Sequence, residues 1–320
     1  MSPLMQKNKI SVYVAVVYKM TKNSMNKIKY FALFIMCIII FNLLFMLRIS
    51  AQETFKDIKI FKDIPYTMIK DVDPNFTSLD IYTPLRGEHF SVIVFIHGGT
   101  WVLGDKGRLN EKIKSFVKAN YVYISINYRL SPDVQHPLHA IDVAKAVTWI
   151  YEHISDYNGD PLNIFLLGHS AGGHLSALIA LDGHYLKNLG FSNEVIRGII
   201  GLDSAAYHLP TLIQSEPEND YLFEMVFGNN SDIWEKASPI NYVEKIQSAP
   251  PFLLIYAGDR EVSKVVNLAF FDALRKSEHE VDLYHASDKN HVSIERDLGK
   301  SGDITIEKIF QFIHKHLKNQ

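Results

Sequence analysis

Cysteine is almost missing from this 320-residue chain: there is one, Cys37, inside the apolar run from Tyr30 to Leu47. A protein cut after that run keeps none, which excludes a disulfide framework, a zinc knuckle and a thiol nucleophile. Cys37 follows Phe-Ile-Met with no small residue ahead of it, so it reads as filler rather than a lipid attachment site. Acidic residues are missing from positions 1 to 51, which hold seven of the 33 basic side chains and leave 26 basic against 35 acidic for the rest. That remainder, at about −9 with neutral histidines, repels a phosphate backbone, so nucleic acid is not an expected partner. Internal repeats and low-complexity tracts are absent too.

What the first 51 residues do have is the pattern of an export signal. Lys27 and Lys29 precede the apolar run, and Ile-Ser-Ala precedes Gln52. A basic start, an apolar stretch and a small residue predict a secretory signal cut after Ala51. The run is long for a signal and short for a membrane span, so an uncleaved anchor is the alternative, and membrane contact is expected only in that case. Residues 1 to 24 resemble neither signal nor domain, which makes Met25 a second candidate start. The chain thus divides into an extension with signal or anchor (1–51) and a catalytic domain (52–320), secreted, periplasmic or anchored.

From residue 79 onward, short apolar runs alternate with longer stretches at helical spacing. Strands are predicted at 79–83, 91–97, 121–128, 163–169, 196–203, 251–258 and 281–287, each nearly continuous in Val, Ile, Tyr, Phe and Leu, as in strands buried on both faces. Helices are predicted at 107–119, 138–155, 171–182, 264–277 and 303–318. Such alternation predicts a mostly parallel sheet with helices on both faces. Two regions depart from it. Residues 52–76 read as edge strands and turns, and 209–243 as an insertion with two short helices. The insertion is either a lid over the carboxyl edge of the sheet, where open α/β sheets bind ligands, or a surface excursion.

One stretch points to chemistry. In "LLGHSAGGH", residues 166–174, Ser170 lies between Gly168 and Gly172, at the junction of a predicted strand and a predicted helix. A sharp turn there exposes the hydroxyl and needs neighbours without bulk. A serine needs a base to become a nucleophile. Of fourteen histidines, His291 stands in a polar loop after the last strand and is the first choice. His285, His314 and His316 belong to regular elements, His169 to the turn itself, and His174 to a buried, hydrogen-bonded place in the helix. The imidazole needs a carboxylate; Asp259, after the penultimate strand, is the expected one, with Asp203, Asp288 and Glu261 as rivals. For a developing oxyanion, the glycines of "HGGTW" supply the amides of Gly98 and Gly99, joined by that of Ala171, with Thr100 as a substitute.

The pieces "HGGTW", "NYRLSPDVQHPLHAIDVAKAVTWI", "GHSAGGHLSALIA", "AGDRE" and "NH" occur in this order over about residues 75 to 318. In this the chain resembles the α/β-hydrolases of the esterase/lipase group, which includes hormone-sensitive-lipase-like carboxylesterases, arylformamidases and feruloyl or acetyl esterases. The resemblance implies an α/β-hydrolase fold: a mostly parallel eight-stranded sheet with helices on both faces and a small lid. It also implies a Ser170, His291, Asp259 triad and hydrolysis through an acyl-enzyme without metal or organic cofactor. Pro132, Pro137, Asp142 and Trp149 fall in what is a structural turn and helix in that group. Thr100 stands where many lipase-type members carry a third glycine, and the hormone-sensitive-lipase acid motif is absent around Asp259. The expected substrate is a small acyl or aryl ester, including an acylated carbohydrate. The alternatives are an arylformamidase-like amidase and a non-catalytic binding module on the same fold.

Overall fold

The computed structural model describes residues 57–318 apart from 108–110 and 259; the expected signal or anchor lies outside the described residues. Eight strands form one sheet: β1 (Ile58–Pro65), β2 (Ser78–Pro84), β3 (Phe90–Ile96), β4 (Val122–Ile126), β5 (Gly159–His169), β6 (Gly198–Leu202), β7 (Phe252–Ala257) and β8 (Val281–Ala286). Their order is β1-β2-β4-β3-β5-β6-β7-β8. β2 pairs antiparallel with both β1 and β4, and every pair from β4 to β8 is parallel. The parallel part therefore ends on one carboxyl edge.

The apolar runs become strands because both faces of the sheet are covered. Along β5, Ile164 and Leu166 enter one core while Phe165 and Leu167 enter the other; β3 divides Val92, Val94 and Ile96 from Ile93 and Phe95 in the same way. This is the two-residue side-chain period of a strand. On the first face lie helices α2 (Leu138–His153) and α3 (Ala171–Leu181) and, further along the chain, α8 (Glu261–Lys276). On the second lie α1 (Glu111–Lys118) and the terminal α10 (Ile304–His316). α3 follows β5 almost without a loop and is buried over its whole length, so it carries no amphipathic pattern.

Shorter helices complete the chain: α4 (His184–Lys187), α5 (Leu209–Ser215), α6 (Asp220–Phe227), α7 (Ser231–Lys236) and α9 (Ser293–Arg296). The stretch 209–243 lies between β6 and β7 and contains α5 to α7. Leu212, Ile213, Phe223, Val226, Phe227 and Ala237 join the first core. His136 N–H donates to Val226 O at 2.8 Å, and the Phe227 ring meets Trp101 edge-on at 4.9 Å. The insertion is thus rooted in the core.

Candidate active site

Ser170 occupies the single residue between β5 and α3, with φ 52° and ψ −116°. A non-glycine residue at positive φ costs about 1 to 3 kcal/mol and persists only where its surroundings force it. The forcing is visible. A Cβ on Gly168 would collide with the carbonyl oxygen of Gly172, and one on Gly172 with that of Ile96 at the end of β3. The Ser170 N–H donates to Leu202 O on β6 at 2.9 Å, which straps the turn to the neighbouring strand. The hydroxyl is left at the N-terminus of α3, where the first amides lack intrahelical acceptors.

The "HGGTW" loop lies against this turn. A Cβ built on Gly98 would sit 3.1 Å from the Cβ of Ser170, so the Gly98 backbone borders the serine. Gly99 is at φ 115°, and its carbonyl accepts from the N–H groups of Val102 and Leu103 at 3.0 and 2.9 Å. Thr100 and Trp101 are also at positive φ, 50° and 58°. Trp101 is held from inside: its indole N–H donates to His174 Nδ1 at 3.2 Å, and His174 donates from Nε2 to Ala237 O at 2.7 Å. Burial lowers His174 to about 4, which keeps it neutral, the state that can accept at one ring nitrogen and donate at the other. His174 thus has the buried, hydrogen-bonded place its sequence position suggests, and it links the loop to the insertion.

His291 stands between β8 and α9. Asn290 shapes this turn, its side-chain oxygen accepting from the N–H groups of Val292 and Ser293 at 3.1 and 2.7 Å. His169, next to the serine, bonds the His291 carbonyl through Nε2 at 2.8 Å, with the two rings 4.8 Å apart. Burial is the largest cause lowering His169, to about 3, so it donates as a neutral imidazole. The backbone of the expected base is in this way tied to the residue adjoining Ser170.

The carboxylate that the described residues place against His291 is one of the rivals to Asp259. Asp203, at the end of β6, lies 2.6 Å from His291 Nδ1 through Oδ2. An imidazole has one Nδ1–H to give, and Asp203 takes it; Asp259 lies outside the described residues. Asp203 is fully buried, at φ 48°. It accepts from the Ala257 N–H at 2.9 Å and the Ser263 hydroxyl at 2.5 Å. Burial pushes its carboxyl up, but the bonds from His291, Ser263 and Ala257 outweigh it and bring it to about 2. The other rivals are on the surface: Glu261 opens α8 beside Lys264, and Asp288 pairs with Lys289. Sequence order did not separate Asp203 from Asp259, since both follow parallel strands between the serine and the histidine. β6, which Asp203 follows, adjoins β5. The available signal was Asp203 closing a short strand buried at every position.

No cluster of three or more histidine, cysteine or acidic side chains able to hold a metal ion occurs among the described residues.

Residues 79–274 match the BD-FAE family model. Among similar proteins, the probable carboxylic ester hydrolase LipM of Mycobacterium tuberculosis (strain ATCC 25618 / H37Rv) is 44% identical over 203 residues, 60% of this chain and 47% of that protein. The probable isoprenylcysteine alpha-carbonyl methylesterase ICMEL1 of Oryza sativa subsp. japonica is 26% identical over 255 residues, 74% of this chain and 59% of that protein. The chain spans about half the length of the first curated relatives it matches. Esterase B from Lactobacillus Rhamnosis superposes with a TM-score of 0.68 at 19% identity, over 87% of this chain and 93% of its own. A truncated carbohydrate esterase from gut microbiota does so with a TM-score of 0.64 at 20% identity, over 81% and 96%. On the match over residues 79–274, the chain belongs to the BD-FAE family, and its sheet and helices are those of the α/β-hydrolase fold.

Proposed function

We propose that the protein is a serine hydrolase of carboxylic esters, with Ser170 as nucleophile, His291 as general base and Asp203 as the acid that orients it. The observation that carries this reading is the bond from His291 to buried Asp203, formed at the edge where the strained turn presents Ser170. The Ser170 Oγ–H proton passes to His291 Nε2 as the Oγ–acyl carbon bond forms. The oxyanion is received by the amides of Gly98, Gly99 and Ala171. Collapse expels the alcohol, which takes the proton from His291 and leaves the acyl-enzyme. Water, deprotonated by the same histidine, then attacks, and the acid departs as the proton returns to Ser170. Asp203 holds the tautomer and offsets the imidazolium charge throughout.

The names of the relatives, LipM and ICMEL1 included, support ester rather than formamide substrates, with small acyl or aryl esters and acylated carbohydrates as the class to test. Export belongs to the same proposal and is checked by N-terminal sequencing of the mature protein, which should start at Gln52. The first experiment compares wild type with Ser170→Ala on p-nitrophenyl acetate, a feruloyl ester and an N-formyl aromatic amide. Hydrolysis of the esters should fall by at least about 1000-fold with the thermal midpoint nearly unchanged. Equal turnover by the variant removes Ser170 from the site, and a folded wild-type protein that an organophosphonate does not label is a binding module instead.

A further inference from the structure

Beside the Asp203–His291 bond lies a second charged pair for which the acyl-transfer scheme has no use. Arg260, in the connection between β7 and α8, has Nη1 3.2 Å from His291 Nδ1 and Nη2 2.5 Å from Oε1 of Glu216. Glu216 follows α5 in the insertion. Both side chains are mostly covered, 24% exposed for Arg260 and 18% for Glu216, so water screens them incompletely. The Nδ1 proton goes to Asp203, and Nδ1 then has no lone pair to accept from a guanidinium. Arg260 is therefore a cation set against the imidazole, and Glu216 is the anion that offsets it.

The geometry points to Glu216 as a positioning residue for the proposed reaction: through Arg260, the insertion controls how readily His291 carries a proton. The inference rests on His291 being the base. Charges of opposite sign alternate along the row Asp203, His291, Arg260, Glu216 when the histidine is neutral. When it becomes imidazolium, Asp203 favours the new charge, Arg260 opposes it, and Glu216 cancels most of that opposition. An insertion that lifts Glu216 away leaves Arg260 to oppose proton acceptance, so the base works at full strength only with the insertion seated. This gives the stretch 209–243 a part in the chemistry.

Among the described residues, the other charged or titratable groups on the elements near His291 include His169 on β5, kept neutral by burial, the Asp288–Lys289 pair ahead of it in the chain, and the Lys112–Glu295 pair from α1 and α9. Burial lowers Lys112 to about 7.

The test is the pH dependence of kcat/KM for p-nitrophenyl acetate in the full domain, whose acidic limb reports the protonation of the base in the free enzyme. Glu216→Gln should move that limb to lower pH by about half a unit to one unit and lower the plateau rate several-fold. Arg260→Met should move it to higher pH, and Arg260→Lys, which keeps the charge, should leave it near wild type. In the Arg260→Met background, Glu216→Gln should again move the limb to lower pH, because the carboxylate then acts on His291 with no cation between them. A limb that stays in place in Glu216→Gln, or that moves in Arg260→Lys as far as in Arg260→Met, overturns the inference. Wild-type turnover that survives Ser170→Ala overturns the reading it rests on as well, so the two failures are told apart. If Glu216→Gln does not fold, Glu216→Asp with the two Arg260 variants still decides the matter, since a shortened carboxylate should give a smaller shift of the same sign.

Discussion

Asp203 receives three hydrogen bonds in a fully buried place, and each favours its ionised form over the neutral one. Replacing it by asparagine keeps the size and removes the charge, so Asp203→Asn should lower kcat by about 10,000-fold in steady-state ester hydrolysis. Asp259→Asn and Glu261→Gln should stay within a few-fold of wild type, and a large loss in either would return the acid to the end of β7. The turn at Ser170 and the loop at His291 were legible in the sequence, because glycine spacing and a polar segment after the last strand are local patterns. The contact between Asp203 and His291 was not, since it joins residues 88 positions apart. Nor was the bond from His169 to the His291 carbonyl, which joins residues 122 positions apart.

The strands and helices were the most legible part, for a reason that belongs to this architecture: strands covered on both faces need unbroken apolar runs, and helices between them need their own spacing. The sequence predicts β5 from residue 163, whereas it begins at Gly159: Asp160 and Pro161 interrupt the apolar run, and Gly159 pairs with Phe90 ahead of a register shift that ends at Ile164. The close seat of α3 against β3 shows what the glycines do. Gly172→Ala puts a methyl group against the carbonyl oxygen of Ile96, and backbone at a strand end has little room to yield. We expect a loss on the order of 1 to 3 kcal/mol, seen as a lower midpoint in thermal melting, together with weaker activity as the serine turn shifts. Gly183→Ala meets nothing within 4 Å and serves as the control, with an unchanged midpoint.

As a whole, the folded protein resists protonation at histidines that the unfolded chain would readily protonate. Burial is the largest cause in each case, lowering His136, His139 and His169 to about 3 and His174 to about 4. Between about pH 6.5 and 4 the unfolded state binds more protons, so stability falls as pH falls, by about 1.4 kcal/mol per pH unit for each such histidine once it is fully protonated in the unfolded chain. Urea midpoints measured at pH 7, 6 and 5 should drop progressively; a flat series would show that these side chains are reached by water. Asp203 acts in the next window: its lowered carboxyl contributes on the order of 2 kcal/mol, present above about pH 4 and lost as pH falls towards 2. The last consequence comes from the bond between Ser170 N–H and Leu202 O. Leu202 is followed directly by Asp203, so one strand end grips the Ser170 backbone and delivers the carboxylate that meets His291 in consecutive residues. β6 works as a caliper whose two jaws are adjacent peptide units, and no loop length enters the setting. The spacing from Ser170 to Asp203 is then set by two neighbouring peptide units, and the long excursion before β7 does not enter it.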